Sequence, residues 1–278
     1  MTTPIITAGG GRLRLPKLGL GTWPMTGDAC RDAVLSALSL GYRHIDTAER
    51  YENEEAVGAA LAGCGLPRGD VHVTTKVWWD HLQPAAMRDA MARSLDKLRT
   101  DYVDLYLVHW PTTDWDPVAT MEALVRLQDA GLARAVGVAN FPLPLLRKAV
   151  EEWQVPVSCL QVEYHAMLGQ ARLLQYARAH DMALTAYTPL GRGAVAESPV
   201  IAAIAARHGA TPTQVALAWL LEQDGVAAVP KAAGRVNQLS NLQSLDLRLT
   251  DEERAAIDAL PKDRRVVSPD FAPDWDAP

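Results

Sequence analysis

Cysteine is scarce in this 278-residue chain and unpatterned where it occurs. Cys30, Cys64 and Cys159 are odd in number and form no C-x-x-C pair, which argues against a disulfide framework or a structural zinc finger and suits a reducing compartment. Phenylalanine is nearly missing, with two residues against eight tryptophans. Long apolar runs are absent too: VALAWLL at 215–221 is far too short to cross a bilayer, and no basic start with an apolar core opens the chain. No dense Lys/Arg block interrupts the balance of 27 basic and 33 acidic side chains, net −6. Nucleic acid and anionic membrane are therefore poor partners, and a small solute in the cytoplasm is the expectation.

Short runs rich in β-branched and aliphatic residues alternate with longer stretches of helical spacing, the pattern of βα units around a parallel sheet. The expected strands are Arg43–Asp46, His72–Val77, Val103–His109, Ala135–Ala139, Cys159–Val162, Ala183–Tyr187 and Ala227–Pro230, with an eighth around Leu242–Leu247. The expected helices are Cys30–Leu40, Ala85–Leu98, Val118–Asp129, Leu143–Trp153, Ala171–His180, Val200–His208 and Thr213–Glu222. Several should end at a left-handed glycine, as at Gly41, Gly131 and Gly209. With no linker or composition break, these units predict a single α/β domain over 1–278, a (β/α)8 TIM barrel. The glycine turn in IITAGGGRLRLP predicts an N-terminal hairpin closing the barrel's bottom. The proline-rich segment 262–278 predicts a loop draped over the barrel.

Three consecutive strands stop at an ionisable residue: RHID at Asp46, VTTK at Lys76 and LYLVH at His109. Singly, each has a plain structural role, as a helix cap, a snorkelling amine or a core imidazole. Together, at the carboxyl ends of neighbouring barrel strands, they converge on the face where such barrels carry their active sites. Tyr51 follows the first by five residues. A cation beside its phenol should lower a pKa near 10; Lys76 can be that cation, and Asp46 the counter-ion that keeps the ammonium charged. His109 can orient a carbonyl oxygen and relay a proton. The set reads as a proton donor for a carbonyl receiving a hydride.

These stretches resemble the aldo-keto reductase family. GYRHIDTAERYENE, TTKVW and LYLVHWP are similar to its aspartate–tyrosine, lysine and histidine motifs, and LQVEYH, AYTPLG and VPK follow in family order along nearly the whole chain. LRTDYVDLYLVHWP, VPKAAGRVNQLSNL and DRRVVSPDFAPDWD are similar to the bacterial 2,5-diketo-D-gluconate reductases, in the branch that also reduces methylglyoxal. The resemblance implies a monomeric TIM barrel that reduces aldehydes and ketones with NADPH and no metal, Asp46, Tyr51, Lys76 and His109 forming its catalytic tetrad. It also implies that Tyr187 stacks on the nicotinamide and that Asn140 and Gln161 hold its carboxamide. Gly21, Thr22 and Trp23 would border the nicotinamide end, while Thr188, Pro189, Leu190 and Gly191 reach the pyrophosphate. Lys231 and Arg235 would meet the 2′-phosphate, and Asn241 the adenine.

The chain departs from the family where a serine and an arginine usually hold that phosphate, having Ala232 and Asn237 instead; Ala139 likewise replaces the serine before the carboxamide-binding asparagine. Two cations remain, so NADPH is the expected cofactor with NADH also accepted. On the substrate side, Trp23, Trp78, Trp110, Phe271 and Trp275 are the expected rigid apolar wall, with Trp78 preferred to Trp79 because the two alternate in a continuing strand. Trp153 and Trp219, at helical spacing, read as core. Arg264 and Arg265 could attract an acidic sugar but read as solvated tail residues. GRGAVA at 191–196 fits a dinucleotide-binding glycine fingerprint, yet no acid lies between Glu197 and Glu222 where that fingerprint needs one. Two other readings compete: a nucleotide-sensing regulatory module on the same fold, which the complete tetrad disfavours, and a metal hydrolase, disfavoured by the lack of HxH or HExxH and by Lys76.

Overall fold

In the computed structural model, which describes residues 3–275, the chain opens with two antiparallel strands, Ile5–Ala8 (β1) and Leu13–Pro16 (β2), joined by the predicted glycine turn. Gly9 sits there at a left-handed φ of 61°, and a side chain on it would overlap Ser158. Eight parallel strands follow in chain order: Leu20–Gly21 (β3), His44–Asp46 (β4), His72–Val77 (β5), Val103–Val108 (β6), Ala133–Ala139 (β7), Val157–Glu163 (β8), Ala183–Tyr187 (β9) and Val226–Ala228 (β10). Bridges from Leu18 to Ala228 and from Gly21 to Lys231 join the first strand to the last and close the barrel.

Among the described residues ten α-helices pack outside: Gly27–Leu40 (α1), Glu54–Gly63 (α2), Pro84–Leu98 (α3), Pro117–Asp129 (α4), Leu143–Arg147 (α5, running on as a π turn), Ala171–Ala179 (α6), Pro199–His208 (α7), Pro212–Glu222 (α8), Arg235–Gln243 (α9) and Asp251–Asp258 (α10). Their starts are written locally. Proline occupies the first turn of α3, α4, α7 and α8, where its missing N–H costs nothing. Thr211 with Gln214 and Thr250 with Glu253 form capping boxes. Gly41 ends α1 in the left-handed conformation, as expected.

One expected strand is not a strand. Residues 242–247 form the end of α9 and the turns after it, with Leu242 and Leu245 packing on the core at helical separation. The eighth strand is β3, two residues long and held by bonds such as Gly19 N–H to Ala228 O at 2.9 Å, too short for any periodicity to announce it. Helices α2, α9 and α10 also lay outside the expected set.

Alternation along the strands sorts side chains into two layers. Ile45, Val73, Val77, Tyr106, Val108, Leu160 and Val162 face the helices in the outer core. Leu105, Leu107, Ala135, Cys159, Ala183 and Ala227 fill the barrel's interior together with Leu13 and Leu15 of β2, so the hairpin plugs the bottom. The same parity turns Asp46, Lys76 and Gln161 inward, toward the top. The tail after α10 has no helix or longer strand; it bridges Leu168 through Asp263 and lies across the top of the barrel, its last three residues, 276–278, falling outside the described part. No helix among the described residues is long and apolar enough to cross a membrane.

Two imidazoles seal the hairpin to the barrel. His44 Nδ1 lies 3.3 Å from Pro16 O and His72 Nδ1 3.1 Å from Arg14 O, while both Nε2 atoms meet the Thr74 hydroxyl at 3.3 and 3.1 Å. Burial, aided for His44 by its neighbour His72, holds the pKa of each down at about 3. The unfolded chain binds protons at these rings near the ordinary value of 6.5. Their neutral form therefore contributes stability that is complete above pH 6.5 and is lost as pH falls toward 3, by up to about 1.4 kcal/mol per pH unit for each ring. Thermal unfolding midpoints measured from pH 7 down to about 4.5 should fall steadily. His72→Asn should flatten that slope, and a profile unchanged by the substitution would remove His72 as its source.

Candidate active site

At the top of the barrel β4 and β5 are hydrogen-bonded neighbours, which brings Asp46 and Lys76 side by side. Lys76 is fully buried, and its ammonium donates to Asp46 Oδ1 at 2.7 Å, to Thr47 O at 2.8 Å and, at 3.5 Å, to Tyr51 Oη. Burial pushes the lysine pKa down, but Asp46 and Tyr51 outweigh it and the net direction is up, so the amine stays charged. Gln161 Nε2 donates to the other aspartate oxygen at 2.8 Å. Asp46 thus has both oxygens occupied, one by the ammonium and one by an amide.

Tyr51 ends a short 3-10 turn, Glu49–Tyr51, whose position depends on Asn53. Asn53 Oδ1 accepts from the Thr47 hydroxyl at 2.6 Å, and Nδ2 donates to Met25 O at 2.8 Å. The expected lowering of the tyrosine pKa is not met: burial dominates and holds the phenol above its ordinary value, with Lys76 opposing and Asp46 adding to the rise. A neutral, proton-bearing phenol is the resting form. His109 lies across from it, ring centroids 5.5 Å apart and 5.1 Å from Trp78. Burial, then Lys76, holds this imidazole well below its usual pKa, which leaves it able to orient an oxygen as a neutral group and unsuited to serve as a charged acid.

The other expected residues fall on one rim. Asn140 donates to His109 O at 2.9 Å and accepts from Tyr187 Oη at 2.7 Å, tying the half-buried Tyr187 ring to the histidine strand. Thr22 is buried with its hydroxyl on Asp46 O, while Trp23 is 55% exposed and its ring lies 5.2 Å from Tyr51. Thr188, Pro189, Leu190 and Gly191 leave β9 through left-handed turns at Thr188 and Gly191, and the 191–197 stretch is 3-10 structure, so GRGAVA does not open a helix. Lys231 and Arg235 are exposed at the far end, Arg235 donating to Ser39 Oγ at 2.9 Å. Ala232 is buried in the outer core, Asn237 is exposed, and Asn241 is buried, with its side chain hydrogen-bonded to Tyr42. A half-buried ring, amides beside the histidine and cations at the end of one rim fit a nicotinamide dinucleotide.

On the opposite side Phe271 packs against Trp78, Trp79 and Trp110 at 5.7, 6.1 and 5.5 Å, and Trp275 against Trp110 at 5.9 Å. The preference for Trp78 alone needs correction, because β5 ends at Val77 and strand alternation no longer separates the two indoles. Trp219 is core as expected, and Trp153 packs half-buried at the core's edge. Arg265 is not a solvated tail residue: it is largely buried, with its guanidinium 3.8 Å from the Trp275 ring. Among the described residues one group, Glu49, Asp80 and His81, has spacing suited to a cation, and it includes neither Asp46 nor His109. Sequence reasoning missed Thr47 and Asn53, and of these only the asparagine left a signal, as a polar residue in YENEE.

The family profile described as Aldo/keto reductase family matches residues 17–262. The chain belongs to the aldo-keto reductase family. It is 40% identical over 269 residues to methylglyoxal reductase DkgB of Escherichia coli O157:H7, an alignment covering 95% of this chain and all of that one. An aldo-keto reductase of Mycobacterium avium is 38% identical over 91% of this chain and 89% of its own. Among solved structures, one provisionally named 2,5-diketo-D-gluconic acid reductase B superposes with a TM-score of 0.95 at 39% identity, covering 100% and 98% of the two chains. The aldose reductase of Schistosoma japonicum gives 0.91 at 30% identity over 98% of each. The barrel and its membership of this oxidoreductase family are thereby established, and the family match ends where the tail begins.

The ion pair makes a direct prediction. Asp46→Asn removes the countercharge while leaving the ammonium buried, and should cost roughly 3 kcal/mol in urea unfolding. A loss under about 1 kcal/mol, the size of an exposed pair, would show that the lysine charge is readily dispersed.

Proposed function

We propose that the protein reduces small aldehydes and ketones, methylglyoxal and keto-sugar acids among them, to alcohols with a nicotinamide dinucleotide, NADPH ahead of NADH, acting as a monomer in the cytoplasm. The observation that carries this reading is the buried chain Asp46–Lys76–Tyr51 with a neutral His109 across from it. The bound dinucleotide supplies hydride to the carbonyl carbon. As charge develops on the carbonyl oxygen, Tyr51 donates its phenolic proton, and the phenolate left behind is stabilised by the Lys76 ammonium. The raised phenol pKa keeps that proton in place until the substrate's oxygen becomes the stronger base. Neutral His109 hydrogen-bonds the oxygen and fixes its direction toward Tyr51. Asn140, Gln161 and Tyr187 are assigned to the nicotinamide, Gly21, Thr22 and Trp23 to its border, and residues 188–191 to the pyrophosphate.

Substrate chemistry follows from the wall of Trp23, Trp78, Trp110, Phe271 and Trp275: rigid rings with single donors suit a compact polar carbonyl compound. The names of the relatives, a methylglyoxal reductase and a diketo-gluconic acid reductase, support the same class. At the nucleotide's far end, Lys231 and Arg235 support a 2′-phosphate, and the Ala232 and Asn237 positions make that preference milder than a full serine–arginine set would. Asn241, buried against Tyr42, offers the adenine less than its sequence position suggests.

Tyr51→Phe should lower turnover of methylglyoxal by about a hundredfold or more while leaving nucleotide affinity little changed. Turnover comparable with the parent would remove Tyr51 from its role, and nucleotide binding without turnover of any carbonyl by the parent itself would favour the sensing module. Arg235→Ala should weaken NADPH binding about tenfold more than NADH binding, the size of a charge-assisted contact. Equal losses would place Arg235 away from the phosphate.

A further inference from the structure

The substrate wall is only as well placed as the tail that carries Phe271 and Trp275, and a buried carboxylate fastens that tail just before them. Glu163 ends β8 with its side chain fully buried, beside Tyr187 in the strand register. Its Oε1 accepts from Val266 N–H at 2.8 Å and lies 3.0 Å from His165 Nε2; its Oε2 accepts from Val267 N–H at 2.8 Å and has Arg265 Nη1 at 4.0 Å. The donors can be assigned. Met167 N–H donates to His165 Nδ1 at 3.2 Å, so the imidazole proton sits on Nε2 and points at Glu163. Three N–H donors thus face two oxygens, so that each oxygen of the carboxyl group accepts at least one hydrogen bond, with a guanidinium just beyond. The loop after β8 adds backbone pairing to the same stretch, Gly169 N–H to Lys262 O at 3.0 Å and Arg264 N–H to Met167 O at 2.9 Å.

We propose that Glu163 is a positioning residue for substrate: its carboxylate pins residues 265–267 so that Phe271 and Trp275 close over Trp78 and Trp110. The inference rests on the reading of those aromatic residues as the substrate wall. Beyond residue 267 the described tail meets the barrel chiefly through aromatic contacts, and its hydrogen bonds there, Trp275 Nε1 to Ser268 Oγ at 3.2 Å and Ala272 N–H to Pro269 O at 2.8 Å, lie within the tail itself. Without the carboxylate, those contacts and the backbone pairing at 262–264 are left to hold the tail. Gln at position 163 is nearly isosteric, yet its NH2 group would oppose one of the valine N–H donors or the guanidinium. It therefore breaks one arm of the anchor without opening a cavity.

The test pairs hydrogen exchange with kinetics on the full chain. In Glu163→Gln, exchange of the Val266 and Val267 amides should accelerate about tenfold or more, and KM for methylglyoxal should rise by a similar factor with kcat and the NADPH Kd little changed. Phe271→Ala alone should raise KM as well, and the double variant should be no worse than the poorer single one, because both substitutions release the same wall. Val266→Pro, which deletes one donor from the tail side and leaves Glu163 intact, should reproduce the KM effect. Unchanged exchange at 266–267 in Glu163→Gln overturns the proposal. So do KM effects that add in the double variant, or equal losses in KM, Kd and thermal midpoint, since these mark a residue acting on the barrel as a whole. A parent protein that turns over no carbonyl refutes the functional reading instead, and the exchange measurement still decides whether Glu163 holds the tail.

Discussion

An ammonium group held inside a protein needs a carboxylate within hydrogen-bonding distance, and the pair of Lys76 with Asp46 meets that need at the centre of the barrel's upper face. The cost of burying both charges is offset only because the geometry is complete: Thr47 O accepts a second hydrogen bond from the lysine, and Gln161 satisfies the second aspartate oxygen. Parallel strands β4, β5 and β8 deliver these groups by parity, bringing residues 30 and 115 positions apart onto one aspartate. Tyr51 is placed at the open end of this chain, and His109 completes the site from β6's end. The acidity of the phenol is therefore set by its burial and by Lys76 and Asp46 as much as by the tyrosine itself.

The same barrel is closed at its two ends by quite different means. At the bottom, Leu13 and Leu15 of the hairpin complete the inner core, and His44 and His72 join its backbone to the Thr74 hydroxyl as neutral rings. At the top, a segment without regular structure is tied to Glu163 and covers the site with aromatic rings. Dry packing with neutral imidazoles gives rigidity below. A buried carboxyl anchor and a cluster of aromatic rings above give a wall that a small number of hydrogen bonds hold in place.

The rim proposed for the nucleotide departs from the family pattern at two positions, Ala232 and Asn237. Ala232 points into the outer core, where its missing hydroxyl disturbs nothing, and its carbonyl still accepts from Gln238 Nε2 at 3.0 Å. Arg235 stands two residues before the expected arginine position, Asn237, and leans on Ser39. Two exposed cations at the start of α9 keep the positive character of that end without the usual pair of contacts.

Sequence alone determined much of this protein, because barrel strands are short, local and apolar enough to read, and their polar ends break the pattern at Asp46, Lys76 and His109. The strands His72–Val77 and Ala183–Tyr187 were legible to the residue. The two-residue strand β3 was not, since closure of the barrel is decided by bonds to residues some two hundred positions away, such as Gly19 to Ala228. Tertiary structure alone decided that burial outweighs Lys76 at the Tyr51 phenol, that Trp79 packs against Phe271 alongside Trp78, and that Arg265 is largely buried beside Glu163. Each depends on solvent exclusion and on contacts between distant segments, quantities that no local pattern of residues encodes.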